Sequence, residues 1–182
     1  ELTKTIINGK IIKLFLLAIL GSILLTISAK IKIPFYPVPM TMQTFVVLFL
    51  GISFGYKLGT AAVLLYLIEG IAGLPVFSNS PEKGIGIVYF VGPTMGYLIG
   101  FVFACLLAGY LKYSDSFFLN FCKILISTSI IYLFGVLWLG TLIGWDKPIL
   151  QLGVYPFLLA ELIKITLLTL LINKIIKLRK FI

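Results

Sequence analysis

Leu14-Phe-Leu-Leu-Ala-Ile-Leu-Gly-Ser-Ile-Leu-Leu-Thr-Ile-Ser-Ala29 runs without a single charge between Lys13 and Lys30. A helix needs about 20 mostly apolar residues to cross the hydrocarbon core of a bilayer. Taken alone, the stretch could pass for the apolar part of a signal peptide. Several equally apolar runs follow it, so it is read as the first of a series of spanning helices. The series comprises residues 11–29, 40–52, 58–71, 93–110, 119–143 and 155–172. The first ends at Lys30-Ile-Lys-Ile-Pro34, where Pro34, Pro37 and Pro39 forbid a regular helix. The second is short for a full crossing, so its start is expected to line a cavity or lie near the interface, where irregular backbone is tolerated.

Composition supports the same class. Apolar residues make up 60% of the 182-residue chain and charged residues only 12%, against roughly a quarter charged in soluble domains. The expected product is an all-α integral membrane protein, a single bundle of six transmembrane helices over residues 1–182. A net charge of +9 could suggest nucleic acid, but the bases flank apolar runs instead of gathering on one solvated face. With the N-terminus inside, Lys4, Lys10, Lys13, Lys57, Lys112, Lys123, Lys174, Lys177, Arg179 and Lys180 fall on the cytoplasmic side. Lys30, Lys32, Lys83 and Lys147 fall outside. This bias places both termini in the cytoplasm of a plasma-membrane protein. The loops after the first and third helices then face outward.

Small residues recur every four positions at Gly92, Gly96, Gly100, Ala104 and Ala108, a face suited to close helix packing. Ala18, Ser22 and Thr26 repeat the spacing on the first helix, where packing within the bundle and docking of an external partner are both open. Charges inside the membrane are costly and usually face a partner or a wet cavity. Glu161 and Lys164, three residues apart on one helix face, are therefore either a mutual ion pair or part of a ligand site. Gln43 adds a buried amide. Glu69, at the end of the third helix, is read as solvated near the outer surface, and Asn79 lies in the long loop that follows.

Histidine is absent, and Cys105 and Cys122 have no metal-ligand spacing, so no metal or cofactor is expected. There is no G-x-x-x-x-G-K-[ST] loop for ATP and no G-x-S-x-G nucleophile motif. Binding or transport is favoured over catalysis.

Val38-Pro-Met-Thr-Met-Gln-Thr-Phe45, Gly73-Leu-Pro-Val-Phe77, Gly92-Pro-Thr-Met-Gly-Tyr-Leu-Ile-Gly-Phe101 and Glu161-Leu-Ile-Lys164 together resemble the BioY family, the biotin-binding S components of energy-coupling factor (ECF) transporters. The resemblance implies six helices that capture biotin from outside beneath the loops after the first and third helices. It implies as partners a membrane-embedded coupling protein and two cytoplasmic ATPases. Gln43, Phe77, Asn79, Tyr89, Glu161 and Lys164 become the substrate-binding candidates, and Ala18 and Ser22 the docking surface for the coupling protein. Three positions depart from the family pattern: Glu161 stands for a usual Asp, Ser78 to Lys83 for a usually glycine-rich loop, and Ser22 for a usual Ala. A second reading is a self-sufficient carrier of biotin or a similar small organic acid, coupled to protons through Glu161.

Overall fold

The structure, a computed structural model, describes residues 2–181, with side chains over residues 9–180. Helix α1 (Leu2–Lys30) leads into a two-residue antiparallel ladder, β1 (Lys32–Ile33) with β2 (Met40–Thr41), in the register Lys32↔Thr41 and Ile33↔Met40. The prolines lie in the turn between them, so residues 40 and 41 are strand and the next helix begins at Gln43. That helix, α2 (Gln43–Ile71), is followed by a loop containing a 3-10 turn at Gly86–Val91. Then come α3 (Met95–Tyr110), α4 (Phe117–Ile143), the short α5 (Ile149–Gly153) and α6 (Leu158–Leu178).

By length, α2 would count as one long span. It is two. Gly55 has φ +80° and ψ 169°, a conformation open to glycine and strained for other residues. The chain reverses there, so Gly59 packs on Leu50 and the Gln43 amide reaches the Tyr66 hydroxyl at 2.8 Å. The second and third predicted helices are thus the arms of α2, residues 43–54 and 56–71, separated by one residue instead of five. With α1, α3, α4 and α6 they make six helical segments in one bundle. The predicted sixth helix is longer than expected, reaching Leu178, and it is preceded by a 3-10 turn at Tyr155–Phe157.

The small-residue face of α3 meets α4 at backbone distance: a Cβ at Gly100 would lie 2.7 Å from the Ile131 Cα. The face of α1 is also internal. Ala18 and Ser22 are buried, Gly21 between them lies against Ala62 and Leu50, and the Ser22 hydroxyl donates to the Glu69 carboxylate. Two expectations are corrected here. Ala18 and Ser22 do not form an exposed docking surface, because their small side chains let α1 approach the second arm of α2. Glu69 is half-buried with a partner on α1 instead of freely solvated. The face that α1 leaves open carries Phe15, Leu16, Leu20, Ile23 and Ile27.

Three of the basic residues hold the two ends of the bundle together. Lys30 Nζ donates to the carbonyls of Phe77 and Ser80, both at 2.8 Å, and Lys32 Nζ to Ser78 O at 2.7 Å and Asn79 Oδ1 at 3.1 Å. At the opposite end the Arg179 guanidinium donates to Ile52 O, Gly51 O and Gly109 O at 2.5, 3.1 and 3.0 Å. It thereby satisfies carbonyls at the C-terminal ends of the first α2 arm and of α3 that their own helices leave free. Since Lys30 ends α1 beneath the 72–94 loop and Arg179 follows α6 beside Gly109, the start of α1 and the end of α6 share one end of the bundle.

A roofed cavity beside Glu161

Near the other end, four helical segments leave a space between atoms of about 510 Å³, partly open to solvent. The first arm of α2 contributes Gln43 and Thr44, α3 contributes Tyr97, Leu98 and Phe101, α4 contributes Ile131 and Tyr132, and Phe157 and Glu161 stand at the start of α6. The β1–β2 hairpin supplies Val38 to Thr41 as one part of the roof, and Ser78, Tyr89 and Thr94 the other. Mostly apolar walls with a few polar anchors are what a small-molecule site needs.

The roof is tied down from below. Lys30 and Lys32 bind the loop carbonyls, as described above. Phe77 lies on Gly70, where any Cβ would overlap its ring, and stacks on Tyr89 with ring centroids 4.6 Å apart. The Tyr89 hydroxyl is 3.1 Å from Ser78 Oγ. The loop is therefore held down by ring stacking and by cations in addition to its own turns.

The charged pair forms the polar wall. Glu161 and Lys164 are both buried, and Lys164 Nζ lies 2.8 Å from Glu161 Oε1. Desolvating two charges costs several kcal/mol per ion unless further hydrogen bonds compensate. They do so in part: Lys164 also donates to Thr41 O at 2.6 Å and Thr44 Oγ1 at 3.0 Å, and Thr44 donates to Oε1 at 2.8 Å. An ammonium has three donors, and all three are used. Glu161 Oε2, in contrast, is buried with no hydrogen-bond partner. An orphaned buried acceptor costs about 1–3 kcal/mol, more when charged. Glu161, in the cavity wall, thus keeps one unsatisfied carboxylate oxygen, within a pair of net charge zero.

The six candidates divide accordingly. Gln43, Tyr89 and Glu161 line the cavity. Lys164 lies directly behind Glu161. Phe77 is one layer above, packed on Tyr89, and the Asn79 side chain is engaged by Lys32 on the roof. Sequence reasoning missed Thr41, Thr44, Tyr97, Tyr132 and Phe157. Thr41 and Thr44 stood in the same motif as Gln43, which was a usable signal. A Tyr or Phe among apolar residues carries none.

The BioY family model matches residues 3–181. A probable biotin transporter BioY of Pyrococcus horikoshii is 36% identical over 141 residues, 78% of this chain and 82% of the relative. The biotin transporter BioY of Thermotoga maritima is also 36% identical, over 156 residues, covering 85% and 90%. Among solved structures, the 2.1 Å crystal structure of the S-component for biotin from an ECF-type ABC transporter superposes with a TM-score of 0.77. That match covers 93% of this chain and 94% of the other, at 24% identity. A family match over nearly the whole length, with these relatives beside it, means that the chain belongs to the BioY family.

Proposed function

We propose that this protein is the biotin-binding membrane subunit of an ECF-type transporter, capturing biotin from outside and delivering it to the cytoplasm. The observation that carries the reading is the Glu161 wall: one buried, unpaired carboxylate oxygen, backed by a lysine whose donors are all spent. Such a wall calls for a neutral N–H donor and has no free cation for an anion. The ureido ring of biotin offers N–H groups, and its apolar thiophane ring suits Phe101, Ile131 and Phe157. The carboxylate of biotin then points away from Glu161, toward the roof and Lys30 and Lys32.

The partners are a membrane-embedded coupling protein and cytoplasmic ATPases, as the family implies, with both termini of this chain in the cytoplasm of the plasma membrane. The chain has no phosphate-binding loop of its own. Uptake of labelled biotin into liposomes separates this function from that of a proton-coupled carrier. Uptake is expected only with the coupling protein and ATPases present and ATP inside the cytoplasm-equivalent compartment. Uptake driven by a pH gradient with this chain alone would contradict it.

A further inference from the structure

We infer that Thr44 is a positioning residue that decides which oxygen of Glu161 is offered to the ligand; this rests on the biotin reading above. Thr44 stands on the first arm of α2 and Glu161 on α6, so their contact joins two helices across the cavity wall. The Thr44 hydroxyl has one proton to donate. Lys164 Nζ approaches its oxygen at 3.0 Å as a donor, which leaves the hydroxyl proton for Glu161 Oε1, at 2.8 Å. Oε1 therefore receives two donors, from Thr44 and Lys164, while Oε2 receives none.

Without the hydroxyl, Lys164 has a spare donor and Oε1 loses one of its two. The same carboxylate, already 2.8 Å from Nζ through Oε1, is an acceptor within reach of that donor. A glutamate side chain with its tether removed can turn so that the ammonium spans both oxygens, and the acceptor intended for the ligand is then occupied by the protein itself. Thr44 keeps the ion pair one-sided. Tyr132 lines the cavity and interacts with the Glu161 carboxylate, but Oε2 has no hydrogen bond within ordinary distance, so Tyr132 does not take over the role of Thr44.

Calorimetric titration of the purified protein with biotin tests this with an isosteric pair. Thr44→Val keeps the volume and removes the hydroxyl, while Thr44→Ser keeps the hydroxyl and removes the methyl. The valine variant is expected to bind about ten- to a hundredfold more weakly, as for loss of a hydrogen bond to a charged group. The serine variant is expected to stay within about threefold of the wild type on the same scale. A role in packing alone would give the opposite order. Should Thr44→Val not fold, Thr44→Ala carries the same expectation and Thr44→Ser still decides: a serine variant as weak as the alanine one overturns the role. A wild type that binds no biotin overturns the biotin reading and the inference with it. Wild-type binding with an unaffected valine variant overturns the positioning role alone.

Discussion

Glu161 and Lys164 are buried as a pair whose only unmet demand is one carboxylate oxygen. Removing either charge has unequal consequences. Glu161→Gln leaves an ammonium that still has Thr41 and Thr44 as acceptors. Lys164→Met leaves a buried carboxylate with a hydroxyl for company, a loss that costs about 3–5 kcal/mol in comparable pairs. Both variants are expected to lose biotin binding, and thermal unfolding in detergent should show Lys164→Met as clearly the less stable. The double variant should regain stability without regaining binding; a double variant no more stable than Lys164→Met would show that the charge pairing is not what costs. In the sequence these two residues were legible because charges do not belong in an apolar run. Tyr97 and Tyr132 were not, because tyrosines are ordinary in membrane helices and only the closure of the bundle brings them to one wall; Thr44 stood beside Gln43 in its motif, but the motif did not show its partner on α6. The side chain of Asn79 could be named from its place in the long loop but not placed, since its partner Lys32 lies 47 residues away.

Among the elements, the reversal in α2 sets the cavity-lining Gln43 against Tyr66. Gly55→Ala meets no atom within 4 Å of its new Cβ, so its cost is conformational. A loss of about 1–3 kcal/mol is expected from this glycine-only backbone conformation alone, measured as a lower unfolding midpoint. Gly100→Val should cost more, because its Cβ meets the Ile131 backbone and α3 and α4 must part. Equal stability of the two variants would contradict this account of the packing. The break was legible as a gap between two apolar runs; that a single glycine makes it was not, since a turn so tight depends on ψ as well as on residue type. The roof depends on side chains more than on helices. Lys30→Met with Lys32→Met is expected to free the 72–94 loop and speed biotin dissociation, read by stopped-flow displacement, while Lys147→Met, exposed in the loop after α4, should leave the rate unchanged.

Over the whole molecule, the basic residues sort the bundle into two ends, and the structure gives each end a task. Lys30 and Lys32 hold the roof, and Arg179 closes the far end over α2 and α3. The charge asymmetry was legible in the sequence, but the local purpose of these residues depended on which carbonyls each helix and loop leaves unpaired. The helical class and the order of the segments were evident from the apolar runs. The inward turn of Ala18 and Ser22 was not, because small residues at every fourth position suit an internal neighbour and an external one equally. On the proposed orientation, with both termini cytoplasmic, a reporter enzyme active only outside the cell should stay silent when fused after Ile182, and activity there would reverse that orientation. The central claim is that the roofed cavity beside Glu161 binds biotin, and calorimetric titration of the purified protein tests it most directly. Saturable binding of one biotin per chain, abolished by Glu161→Gln, is the expected result. No heat of binding at micromolar biotin, or equal binding by the Glu161→Gln variant, would contradict it.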